Sequence, residues 1–194
     1  MRKTIVALAC GLFMVLPALA QSDLSQFPLG TTEMGYRITS DKLTEPEILS
    51  ITVTGLPDGR YRVRMTTEAT GTPGELGLFG FLLGMTTVRS GIADVDLSPL
   101  AALFPHRGDL VPGEDYILPG RGTFHASEIR PIAGVPCLVG TYTDPDHPHT
   151  RTTIAFSLEK PLLISPLIRV ERIKGEDREV ILSLELISYS APTG

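Results

Sequence analysis

Asp144-Pro145-Asp146-His147-Pro148-His149 is the densest gathering of groups able to do chemistry in this 194-residue chain. Imidazole nitrogens from His147 and His149, joined by a carboxylate from Asp144 or Asp146, are donors that a zinc-like ion accepts. A metal-dependent enzyme would be built on such a loop. Against that, His-Pro-His matches no established ligand spacing, the two prolines restrict how the side chains converge, and Asp-Pro and His-Pro pairs are ordinary turn formers. The turn is the favoured reading, with Asp144, Asp146, His147 and His149 standing as the candidate metal ligands.

The other reactive residues are isolated. His106 and His125 are accompanied by no Gly-x-Ser-x-Gly elbow, no His-Glu-x-x-His pair and no phosphate-binding glycine loop. His125 alternates with Phe124 and is expected on the surface. Cys137 lies among Val135, Leu138 and Val139 and reads as core, because a nucleophilic thiol needs an electropositive, accessible setting. Arg107-Gly108-Asp109 matches the tripeptide of integrin ligands, yet three-residue matches arise easily by chance. Arg60, Arg62 and Arg64 share one strand face by the period of two, and a solvated face is favoured there over an anion site. The expectation is a non-enzymatic protein that needs no cofactor.

Residues 71–88 are the other candidate. Positions 76–88 carry no charge, and Gly71, Gly74, Gly77, Gly80 and Gly84 interrupt the apolar run. Leu76, Leu78, Phe79, Phe81, Leu82 and Met85 would line a site for a lipid, an acyl chain or another apolar ligand. Turned outward, the same stretch would dock on a partner protein or a membrane surface. Each glycine costs about 1 kcal/mol against alanine inside a helix, so a loop-plus-helix insertion is expected.

The elements that must position these groups are strands. Short runs alternate apolar and polar residues at 34–39, 49–54, 60–65, 115–118, 123–130, 135–142, 152–158, 167–174 and 179–189. Residues 55–59 read as a hairpin loop in which glycine takes the left-handed backbone. One short helix is predicted, with Ser98 as cap, Pro99 at its first position, residues 100–104 as its body and Pro105 as its end. Pro161 and Pro166 bound an apolar linker. Short turns and few helices call for one mainly β domain over residues 21–194: an antiparallel curved sheet forming a half-barrel or barrel, covered by the insertion, or alternatively a sandwich.

Residues 1–20 read as a cleaved secretory signal: Arg2 and Lys3, an apolar run over 5–16, then Ala18-Leu19-Ala20 before Gln21. Cys10 is not read as a lipid acceptor, because Ala7 stands where a lipobox prefers leucine. Losing Arg2 and Lys3 takes the net charge from −5 to −7, which argues against nucleic acid and against general adhesion to anionic membranes. With Cys10 removed, Cys137 has no disulfide partner, and the core must stabilise the domain unaided. No later segment is long enough to span a bilayer. The protein is expected in the periplasm or outside the cell, and not as an integral membrane protein.

Strands up front, an apolar insertion and a meander ending in a strand such as 182–189 resemble the periplasmic lipoprotein-carrier (LolA-type) superfamily of half-barrels. The resemblance is one of layout and transfers no site residues. It implies an open curved sheet whose concave face, built from residues such as Val53, Val63, Met65, Phe156 and Leu184, lies under residues 76–85 and holds acyl chains. The leading expectation is therefore an exported apolar-ligand binder. The alternatives are an interaction module of the cell envelope and, behind it, a metal-dependent enzyme using the loop from Asp144 to His149.

Overall fold

The computed structural model describes residues 23–41, 43–68, 70 and 97–192. Nine strands lie in them: β1 (Gly30–Ser40), β2 (Glu47–Gly55), β3 (Tyr61–Glu68), β4 (Asp115–Ile117), β5 (Thr123–Ile132), β6 (Val135–Thr143), β7 (Thr150–Ser157), β8 (Leu167–Lys174) and β9 (Asp177–Ser190). They form a single sheet in the order β3-β2-β1-β9-β8-β7-β6-β5-β4, with every pairing antiparallel. β3 and β4 end the sheet without pairing to each other. Closed barrel and sandwich are thereby excluded, leaving the open curved sheet that the half-barrel resemblance implies.

The sheet is two meanders zipped together. β1 to β3 run toward one edge, β4 to β9 run inward from the other, and β1 pairs with β9 at the seam. The chain between β3 and β4 consequently joins opposite edges. The hairpin between β2 and β3 turns as its residue types require: Gly59 has φ of 79°, and Asp58 Oδ1 accepts from the Arg60 amide at 3.1 Å.

Period-two alternation sorts side chains onto two faces. Across the inner face one row runs Glu47, Ile38, Leu184, Ile168, Ile154, Gly140, Ala126 over seven strands. Gly140 is small for a reason. A Cβ there would strike the Phe124 ring and come within 2.5 Å of the His125 carbonyl oxygen. Without it, Phe124 folds over the strand and meets Phe156 edge-on at 5.4 Å, and Phe156 meets Phe104 edge-on at 5.5 Å. Such T-shaped pairs are favoured over stacked sandwiches. They fasten the Ser98–Asp109 segment to the inner face.

That segment differs from the expected helix. It is a 3-10 helix with Leu97 in the capping position and Ser98 as its first residue, and it passes through Pro105 to Asp109. Proline fixes φ near −65°, within the 3-10 range, so it interrupts the helix only by one missing donor. Leu97, Leu100, Leu103, Phe104 and Leu110 are buried in the common core.

Candidate functional site

The loop after β6 brings together two of its four candidate ligands. Asp144 Oδ2 lies 3.0 Å from His147 Nδ1, while Asp144 Oδ1 accepts from the Asp146 amide at 2.9 Å. Backbone bonds from His147 to Asp144 and from Thr150 to His147, both 3.0 Å, tighten the same turn. Asp146 and His149 are exposed, and the His149 carbonyl accepts from Ile173 at 2.8 Å. Among the described residues no three His, Cys, Asp or Glu side chains gather so as to hold an ion.

His125, Cys137 and Arg107 have structural partners. His125 is exposed and pairs with Asp115 at 2.7 Å. Cys137 is buried and free, its Sγ–H donates to the Val135 carbonyl at 3.1 Å, and burial pushes the thiol up to about 11. At neutral pH the sulfur therefore stays protonated and is a poor nucleophile. Arg107 is turned inward: its guanidinium donates to the carbonyls of Phe104 (2.8 Å) and Ser157 (3.2 Å) and to Gln26 Oε1 (3.1 Å). That arginine ties the 3-10 helix to β7 and to the Leu24–Gln26 turn, and is committed to the fold instead of an integrin-type contact.

Leu76, Leu78, Phe79, Phe81, Leu82 and Met85, the candidate ligand-binding residues, lie outside the described residues. What is described is the face they were expected to cover. Registers place Val53, Val63, Met65, Phe156 and Leu184 on that one face, but they differ in burial. Val53 and Phe156 are fully buried and Leu184 is 9% exposed, whereas Val63 is 41% and Met65 43% exposed. Most of the face is thus core, and its apolar surface reaches solvent along β3. β3 is also an edge, with Arg62 and Arg64 exposed on its other side.

Alternation alone does not separate these residues, since Val53 and Val63 stand directly opposite each other. A second feature escaped sequence reading altogether. Glu47 begins β2, is 1% exposed, and neither carboxylate oxygen finds a partner among the described residues. Burial raises its pKa above the ordinary carboxylate range. The available signal was register: Glu47 stands two positions before Leu49 and four before Ile51, both inward.

No protein-family model and no curated protein sequence matches the chain. Solved structures similar to it include three that contain MucB. The crystal structure of MucB aligns with a TM-score of 0.49 and 12% identity, over 92% of this chain and 58% of that one. MucB in complex with MucA(peri) gives 0.46 and 13%, over 91% and 54%. The complex structure of Pseudomonas aeruginosa MucA/MucB gives 0.45 and 12%, over 92% and 57%. The chain spans little more than half the length of the structures it matches, and likeness at this level carries no inference about activity or partner.

Proposed function

We propose that the protein is an exported, non-enzymatic module of the cell envelope that docks a partner protein along the β3 margin of its sheet. The observation that supports this is the step in burial between paired strands: Val53 and Ile51 are 0% and 1% exposed, and their neighbours Val63 and Met65 are 41% and 43% exposed. An apolar strip continuous with the core, left open at an edge, is the kind of surface that partner binding covers.

The test is a photo-crosslinking amino acid placed at Val63 or Met65 in the cell of origin. Ile117, on the short β4 at the opposite edge, is the control. One protein species captured from both β3 positions and not from Ile117 supports docking. Native mass spectrometry of the purified chain supplies the contrary outcome. Bound lipid, together with no protein crosslink at β3, would overturn docking and restore the apolar-ligand function.

A further inference from the structure

The two edges of the sheet are built differently. β4 has three residues. β3 has eight, pairs with β2 in unbroken register from Gly55↔Tyr61 to Ile48↔Glu68, and contains neither proline nor bulge. Long flat edges are usually blunted by prolines, bulges or brevity, because their outward amides and carbonyls invite another strand. Charge is what β3 carries instead. Arg60 is answered by Asp58 at 2.6 Å. Arg62 and Arg64 are exposed, have no ion-pair partner among the described residues, and face Thr54 and Thr52 on β2. Two uncompensated guanidinium groups therefore flank the open edge on one side, and Val63 and Met65 flank it on the other.

We infer that β3 accepts an extended acidic segment of the partner protein as a tenth strand. This rests on the docking function proposed above and names the chemistry of its partner. Main-chain hydrogen bonds along the edge supply affinity, and alternate side chains supply specificity. Carboxylates at every second position lie beside Arg62 and Arg64, with apolar residues between them beside Val63 and Met65. Exposed Glu68 shares the arginine face by period two, so carboxylates are favoured beside Arg62 and Arg64 and disfavoured beside Glu68.

Other occupants fit less well. A second copy paired antiparallel about Met65 sets Arg62 against Glu68 but leaves Arg64 facing Thr66. Paired about Val63, it sets Arg62 against Arg64, and like charges directly opposite are destabilising. Within the chain itself residues 76–88 contain no carboxylate, and Asp94 and Asp96, which alternate with Val95, run directly into Leu97, the buried capping residue of the 3-10 helix.

The experiment titrates the mature chain into a fluorescent peptide of five Asp-Val repeats. The controls are a Lys-Val peptide and an Asp-Val peptide with N-methylated valines. The Asp-Val peptide should bind, weaken with added salt, and slow amide hydrogen exchange within residues 61–68. Arg62→Glu with Arg64→Glu, both at exposed positions, should weaken it about tenfold or more. Equal binding of the Asp-Val and Lys-Val peptides, undiminished binding of the N-methylated peptide, or unchanged exchange in β3 would each overturn the edge assignment. So would a peptide-independent dimer in sedimentation that protects the same amides, which makes the second copy the occupant. Capture of one partner through Met65 that survives Arg62→Glu with Arg64→Glu would leave docking intact and remove the acidic strand. Absence of that capture in the unmodified protein would remove docking itself.

Discussion

Glu47 ends a row of apolar residues and Gly140 sits within it, and each makes a separate demand on the fold. In the unfolded chain Glu47 ionises in the ordinary carboxylate range, whereas in the folded protein burial holds the proton to higher pH. The folded state thus binds more protons over the interval above the ordinary carboxylate pKa. The stability associated with this group is present below that interval and is lost as pH rises through the folded pKa. Glu47→Gln should raise the urea midpoint relative to the parent at pH values above the folded pKa and flatten its fall as pH rises from the ordinary carboxylate range through that pKa. An unchanged pH profile would mean that the carboxylate is solvated. Gly140→Ala should act oppositely, destabilising by about 1–3 kcal/mol in urea, because the His125 carbonyl cannot swing away as a side-chain end would. Neither residue declares itself in the sequence by type. Glutamate reads as outward and glycine as a turn, and only their places in the register show otherwise.

At the scale of elements, alternation carried most of the information. All nine strands are where periodicity places them, and the open half-barrel was among the architectures it allowed. Strand ends were less legible. β1 begins at Gly30 instead of residue 34 because Thr32 is the buried member of a polar Thr-Thr-Glu run, and a threonine pointing inward breaks the apolar rhythm. The run from Val135 to Val139 hides a different fact. Cys137 and Val139 are buried on the outer face while Leu138 is buried on the inner one, so period two is masked where both faces are covered. Arg107 was legible only as part of a tripeptide. Its three hydrogen bonds hold the 3-10 helix, the Leu24–Gln26 turn and the end of β7 together. Arg107→Ala should cost about 1–3 kcal/mol by leaving the Phe104 and Ser157 carbonyls without this donor. Arg107→Lys should recover less than half, since a point charge cannot serve three divergent acceptors as a planar fork does. Thermal unfolding of the pair checks both, and full recovery by lysine would reduce the role to charge.

For the whole molecule, strand positions did not reveal which strands pair across the seam. β1 and β9 stand at opposite ends of the domain in sequence and meet at Tyr36 and Leu186, with the Tyr36 hydroxyl donating to Ile164 at 2.9 Å. Pairing at such separation has no local signal, because it is decided by which meander edges remain open once the hairpins have formed. The resulting sheet is graded in burial. β6 and β7 bury side chains on both faces, with Leu138, Ile154 and Phe156 inward and Cys137, Val139 and Ala155 outward. Every residue from Arg62 to Thr66 in β3 is exposed. Local opening is easiest where few apolar contacts are lost, so β3 should fray from β2 while β6 to β8 open only with the whole domain. Native-state hydrogen exchange should find the β2-bonded amides of β3 exchanging roughly a hundredfold faster than those of β7. That difference should narrow when a strand is added at the edge, since the added ladder raises the cost of opening β3 and leaves β7 unchanged. Equal protection of the two strands in the free protein would show that β3 is already covered, and the margin would then be unavailable for docking.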